Sequence, residues 1–323
     1  MPAATGEIAI SGGGLTARLL PLGATLRDLR LDGHAPPLVI GADDPRDYQG
    51  ALIYAGAVVG PVANRIAGAR AALDGRVHRF EANEGGVTTL HSGHAGLHAR
   101  HWAVTARGGD VVTFAITLPD GEGGFPGHRE VRATYRLLPH RALQVELTAT
   151  SDAPTWINLA QHSYWNLDGG ATIAAHRLRI AADRYLPVDA AGIPLAPEAV
   201  AGTRYDFRRA IALGDAPPLD HNFCLSGAPR DLTEVAELIA PSGLCLHVAT
   251  TEPGLQVYDG RHFAVPAGAG LGGRGYGAHA GLAIEAQGWP DAPNRPDFPP
   301  VQLRPGETYR QITRFRLERA GPP

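Results

Sequence analysis

Apolar and polar side chains alternate with a period of two along several stretches of this chain. In Glu130–Leu137, Val131, Ala133, Tyr135 and Leu137 fall on one side and Arg132, Thr134 and Arg136 on the other. Gln144–Ala149 sets Val145, Leu147 and Ala149 against Gln144, Glu146 and Thr148, and near the end Tyr309, Gln311, Thr313, Phe315 and Leu317 oppose Arg310, Arg314 and Arg316. Such alternation marks strands with one face on a core. Ala236–Ile239 and Leu244–Val248 flank Pro241-Ser242-Gly243 and predict a hairpin. No stretch carries the stripe of a long amphipathic helix. Thr233–Leu238 suits a single helical turn at most, because Pro241 follows closely. The predicted class is all-β, with strands from end to end as in a sandwich.

Composition sharpens this picture. The 41 Gly and 27 Pro are spread along the 323 residues, which suits many short strands joined by turns and leaves no linker to divide the chain. A hydrophobic share of 44% supports a sizeable core. The net charge is −3, with 29 basic against 32 acidic residues and no block of one sign, so neither nucleic acid nor a membrane surface is expected as a partner. Two cysteines, Cys224 and Cys245, are too few for a disulfide scaffold and are expected to be buried free thiols. The first residues lack the basic and apolar runs of a secretory leader, and no run approaches the roughly 20 apolar residues of a membrane span. A soluble, cytoplasmic protein is the expectation.

Five segments carry candidate chemistry. Gly60-Pro61-Val62-Ala63-Asn64-Arg65-Ile66 offers a guanidinium whose fixed fork suits several oxygen acceptors, although an ordinary ion pair would explain it equally well. Trp156–Leu167 gathers Asn158, Gln161, His162 and Asn166 among aromatics, a mixture that suits a small polar ligand and also a core strand. In Asp220-His221-Asn222-Phe223 the carboxylate can accept two hydroxyl donors, or the segment is a turn. In Leu282–Asn294 a strand would carry Glu285 inward, and carboxylates are seldom buried without a partner or a role.

The fifth segment, Leu90–His101, holds four of the 14 histidines. That density suits zinc, but Gly93 and Gly96 disrupt the helix that would align residues three and four apart, and no Cys or acid stands close by. No metal site is expected, and His94, His98 and His101 are expected at the surface. Two further patterns fail on context. Gly268-x-Gly270-x-x-Gly273 lacks the strand–turn–helix setting of a dinucleotide site, and Gly12-Gly13-Gly14 lacks the Lys-Ser/Thr of a phosphate loop. Gly268–Gly277 is expected to be a surface loop.

In order, these segments resemble the aldose 1-epimerase (galactose mutarotase) family. The resemblance rests on Ala63-Asn64-Arg65-Ile66, Ala72–Gly75 with Asn83, Leu90-His91, Gly124-Phe125-Pro126-Gly127, His162-Ser-Tyr-Trp-Asn-Leu167, Asp220–Phe223, Pro253–Tyr258, Glu285-Ala-Gln287 with Pro290-Asp291, and Pro305-Gly306-Glu307. It implies one domain over residues 1–323, folded as a large antiparallel β-sandwich. It also implies a cofactor-independent isomerase, monomeric or homodimeric, acting on free aldohexoses such as galactose or glucose. Glu285 corresponds to the catalytic base and His162 to the catalytic acid. Arg65, His91 and Asp220 correspond to substrate-binding residues, and Asn64 and Gln287 match neighbouring motif positions.

The residue types fit that chemistry. Anomerisation needs a base for the C1 hydroxyl and an acid for the ring oxygen, and it moves only protons. On this view Glu285 is ionised near neutral pH and His162 is imidazolium, a form that a nearby carboxylate favours. Pro61, Ser92 and Ala286 depart from the residues usual in the family, and Trp289 is a bulky aromatic near Glu285. These positions are expected beside the pocket, where they would bear on sugar preference. An epimerase for a phosphorylated, acidic or unusual sugar, and a non-catalytic sugar-binding module on the same fold, are the alternatives.

Overall fold

The computed structural model describes residues 6–319. The alternating segments lie in long strands, Arg129–Leu138, Ala142–Ser151 and Tyr309–Arg319. Val131, Ala133, Tyr135, Val145, Leu147 and Phe315 are buried, as the period of two requires. The Thr233–Ile239 and Leu244–Thr250 strands form the expected hairpin, closed by the Gly243 amide on the Ala240 carbonyl. The helical turn allowed for Thr233–Leu238 is absent, since this segment is strand throughout. A register shift between Glu234 and Ala236 puts Val235 and Ala236 both inside, which breaks the period of two in the sequence.

Two large sheets dominate. One has nine strands and carries all of these segments, with the Leu244–Thr250, Tyr309–Arg319, Ala142–Ser151 and Arg129–Leu138 strands side by side in antiparallel register. The other has six, in the order Tyr164–Trp165, Leu282–Gln287, Gly254–Tyr258, Asp220–Cys224, Arg184–Leu186 and Glu198–Ala199. One hydrophobic cluster joins them, with Tyr135, Val145 and Phe315 from the first sheet and Phe223, Val257 and Ile284 from the second. Trp165 lies 4.8 Å from Phe315 across that interface. This is an antiparallel sandwich, in agreement with the sequence reading.

The six-stranded sheet therefore has one face on the core and a second face free for other use. Leu282, Ile284 and Ala286 belong to the core cluster, whereas Glu285, between two of them, must point to the opposite side. The register aligns Tyr164 with Ala283, Ala283 with Tyr258, and Tyr258 with Asp220. The next row aligns Glu285 with Gln256 and Gln256 with Asn222. Residues 51–55, Asn64, Arg65, Glu84, Leu90 and His91 border this face from other parts of the chain.

The Gly268–Gly277 loop is largely exposed but is anchored by buried Leu271 and Tyr276. Cys224 and Cys245 are free and half-buried, and burial raises both thiols, to about 12 and about 11. Among the described residues no helix is long and apolar enough to cross a membrane.

Candidate active site

The free face of the six-stranded sheet floors a cavity of about 320 Å³, within the usual range for small-ligand sites. Glu285, His162, His91, Arg65, Asp220 and Asn64 all line it. Six of the seven residues singled out in the sequence thus meet, although they are spread over more than 200 positions. The exception is Gln287, which does not line the cavity. It is fully buried one step further along the Glu285 strand, and its amide donates to the Gly288 carbonyl at 3.0 Å.

Glu285 is 2% exposed, and its Oε1 lies 3.5 Å from Nε2 of His162. His162 is held by its backbone, whose amide donates to Ala57 O and whose carbonyl accepts from Gly56 N, both at 2.9 Å. Its ring packs 4.9 Å from Tyr164 and 5.2 Å from His91. Burial pushes His162 down to about 4, with Asp220 working in the other direction. Burial also pushes Glu285 well above the carboxylate range, reinforced by Asp220 and opposed by Arg65. The expected carboxylate–imidazolium form is therefore disfavoured by burial. A neutral imidazole beside a protonated carboxyl holds the same single proton and escapes the cost of burying charge. Both shifts favour the neutral pair, with its one proton on the Glu285 carboxyl.

Arg65 and His91 are set by one small piece of backbone. The Arg65–Ile66 and Thr89–Leu90 segments pair antiparallel, bringing Arg65 opposite Leu90. Beyond the pair, Asn64 (φ 61°) and His91 (φ 50°) both adopt left-handed backbone. The Asn64 amide donates to His91 Nδ1 at 3.1 Å. Burial, and then the closeness of His162, His98 and Arg65, hold His91 well below its ordinary value, which favours the neutral ring. Its Nδ1 is an acceptor and its proton sits on Nε2.

That tautomer bears on metal binding. His91, His162 and Glu285 are close enough to share an ion. Binding through His91 Nε2 would drive the proton onto Nδ1, against the Asn64 N–H, so these donors do not fit a metal as they stand.

Arg65 is clamped from two sides. Its Nε and Nη2 donate to the two oxygens of Glu84 at 2.7 and 2.9 Å, and its Nη1 donates to Asp220 at 3.2 Å. Asp220 also accepts from Gln256 at 2.6 Å. It opens the Asp220–Cys224 strand and does not lie in a turn.

Sequence reasoning missed Glu84, Tyr54, Tyr164, Tyr258, His262 and Phe263 on the cavity wall. Glu84 had an available signal, since it follows Asn83, whose side chain bonds both the amide and the carbonyl of Leu90. Tyr54 had none. Its ring centroid lies 4.7 Å from those of both His91 and His98, tilted to the first and edge-on to the second.

His98 is a correction to the surface assignment. It is 3% exposed behind Tyr54, and burial lowers it to about 4. His94 and His101 are exposed as expected, with His94 paired to Glu81.

Pro61, Ser92, Ala286 and Trp289 do not line the cavity themselves, although Ser92 and Ala286 directly follow the lining residues His91 and Glu285. Ser92 bonds the backbone of Val62, as donor at 3.0 Å and as acceptor at 2.9 Å. Trp289 donates to the Pro253 carbonyl at 2.9 Å and packs on Phe298.

Comparison with known proteins bears on this arrangement. The family model described as aldose 1-epimerase matches residues 7–316. The galactose mutarotase of Bos taurus is 38% identical over 94% of this chain and 91% of its own length. The aldose 1-epimerase of Escherichia coli K12 is 36% identical, over 94% and 92%. Among solved structures, the GalM/aldose epimerase homologue from C. elegans superposes with a TM-score of 0.90 at 33% identity, covering 98% of this chain and all of that one. With an antiparallel sandwich, a carboxyl–imidazole pair on its free face and a match along almost its whole length, this chain belongs to the aldose 1-epimerase family.

Proposed function

We propose that this enzyme interconverts the α- and β-anomers of free aldohexoses such as galactose or glucose, with Glu285 and His162 exchanging protons with the sugar. The observation that carries the reading is the 3.5 Å approach of Glu285 Oε1 to His162 Nε2 on the floor of a small cavity. Binding alone would not require an acid beside a base.

In the working form Glu285 is the carboxylate and His162 the imidazolium. This form differs from the neutral pair only by an internal proton shift. Asp220 favours the imidazolium but opposes the carboxylate, which Arg65 supports in turn.

Glu285 takes the proton of the C1 hydroxyl while His162 protonates the ring oxygen. The C1–O5 bond breaks and C1 becomes a carbonyl. After rotation about C1–C2, the C5 hydroxyl attacks the other carbonyl face. His162 recovers its proton, and Glu285 returns the other to the carbonyl oxygen. The pair ends as it began. Arg65, Asp220, Asn64 and the Nε2–H of His91 bind the remaining hydroxyls. Gln287 lies on the same face of the strand as Glu285, beyond the cavity.

Polarimetry on freshly dissolved α-galactose and α-glucose tests this, with chelator present throughout. The enzyme should accelerate the approach to anomeric equilibrium. Glu285→Ala and His162→Ala should each lose on the order of 10²–10⁴-fold. A folded enzyme without effect on either sugar overturns the reading.

A further inference from the structure

Nothing in the proton chemistry calls for Glu84, yet its two oxygens take two of the five N–H groups of Arg65. The loop 84–88 is shaped to present it. Glu84 and Thr88 exchange backbone hydrogen bonds, and Gly85 (φ 61°) and Gly86 (φ 72°) supply the left-handed turn between them. Asn83 ties the start of this loop to Leu90, which is paired with Arg65. Glu84 and Arg65 are thus fixed to the same short ladder.

The clamp changes what the pocket can bind. Among the described residues lining the cavity, Arg65 is the only arginine or lysine. It faces two acids, Glu84 and Asp220, both in contact with it. The Glu285–His162 pair adds no net charge while it holds one proton, and His91 is neutral. Three N–H groups of Arg65 are already committed, which leaves two for a ligand. Hydroxyl oxygens can use those two. A carboxylate or phosphate would meet a cation already paired on both sides, and beside it two like charges.

We propose that Glu84 is a specificity-determining residue, which by holding Arg65 in a bidentate pair and adding a negative charge to the wall restricts the pocket to neutral aldoses and turns away uronic acids and sugar phosphates. The inference rests on the mutarotase reading for its reaction but on the Arg65–Glu84–Asp220 geometry for its content.

The test is Glu84→Gln, which keeps the shape and removes the charge. Anomerisation of galactose and of galacturonate is followed by polarimetry, and binding of both by titration calorimetry. In the variant KM for galactose should rise, because Arg65 is held less firmly, while KM for galacturonate falls. The galactose-to-galacturonate preference should drop by about tenfold, the scale of one like-charge contact at a partly exposed site. Added salt should lower the preference of the parent enzyme more than that of the variant. A merely structural role would move both sugars in the same direction, and that outcome, or an unchanged affinity ratio, overturns the proposal. Absence of turnover on galactose by the parent enzyme would instead overturn the mutarotase reading, and the calorimetric ratio would still decide the role of Glu84.

Discussion

The Asn64 amide donates to Nδ1 of His91 at 3.1 Å, and the His91 amide returns a bond to the Asn64 carbonyl at 2.9 Å. Two separate motifs of the sequence are thereby locked face to face, and the lock decides where the His91 proton resides. His91 should remain neutral, with its proton on Nε2, between about pH 5 and 8 where free histidine titrates. Nitrogen-15 chemical shifts of the imidazole report this directly. A titrating His91, or one protonated on Nδ1, would contradict the arrangement.

The opposed shifts of Glu285 and His162 predict the shape of the pH–rate profile. Below about 4 the pair takes up a second proton at His162, and above the raised range of Glu285 it loses the one it has. Both changes remove the active form, so activity should hold across mildly acidic and neutral pH and fall at either end. The two limbs belong to the pair and not to single residues. An acid limb near 6.5, the ordinary histidine value, would show that His162 is not desolvated.

Glu252 offers a stability test away from the chemistry. It is 3% exposed, does not line the catalytic cavity, and burial alone pushes it up to about 8 from 4.5. Between those values the unfolded chain releases a proton that the folded chain keeps, so stability falls as pH rises through the window and the full cost is present above it. Glu252→Gln should unfold with the parent near pH 4.5 and at higher temperature near pH 9, by on the order of a few kcal/mol at most. Its anomerisation rate should be unchanged. Equal melting temperatures at both pH values would show that the carboxyl is solvated.

Much of the sandwich was legible because its long central strands have one face on the core and the other toward solvent. Val131–Leu137 and Val145–Ala149 announce this by alternation. The Leu282–Gln287 strand does not, since it is buried on both faces and reads as a plain apolar run interrupted by Glu285 and Gln287. Thr233–Ile239 was obscured by its bulge. At the site, motif resemblance found the groups that touch at Glu285–His162 and Asn64–His91. It could not find Tyr54 or Phe263, which face the cavity through loop folding and carry no local pattern. Gln287 shows the opposite error. It has the right face of the right strand, two residues too far along to reach the cavity.

The register that lays Tyr164 beside Ala283, and Gln256 beside Glu285, joins positions far apart in the chain. Contacts of such long range cost loop-closure entropy and slow folding. A chain that lacks the Leu282–Gln287 strand has no Glu285 beside His162, so catalysis waits for that strand to join the sheet. Enzymatic rate on refolding therefore serves as a clock for the closing of the six-stranded sheet, read without any probe attached to the protein.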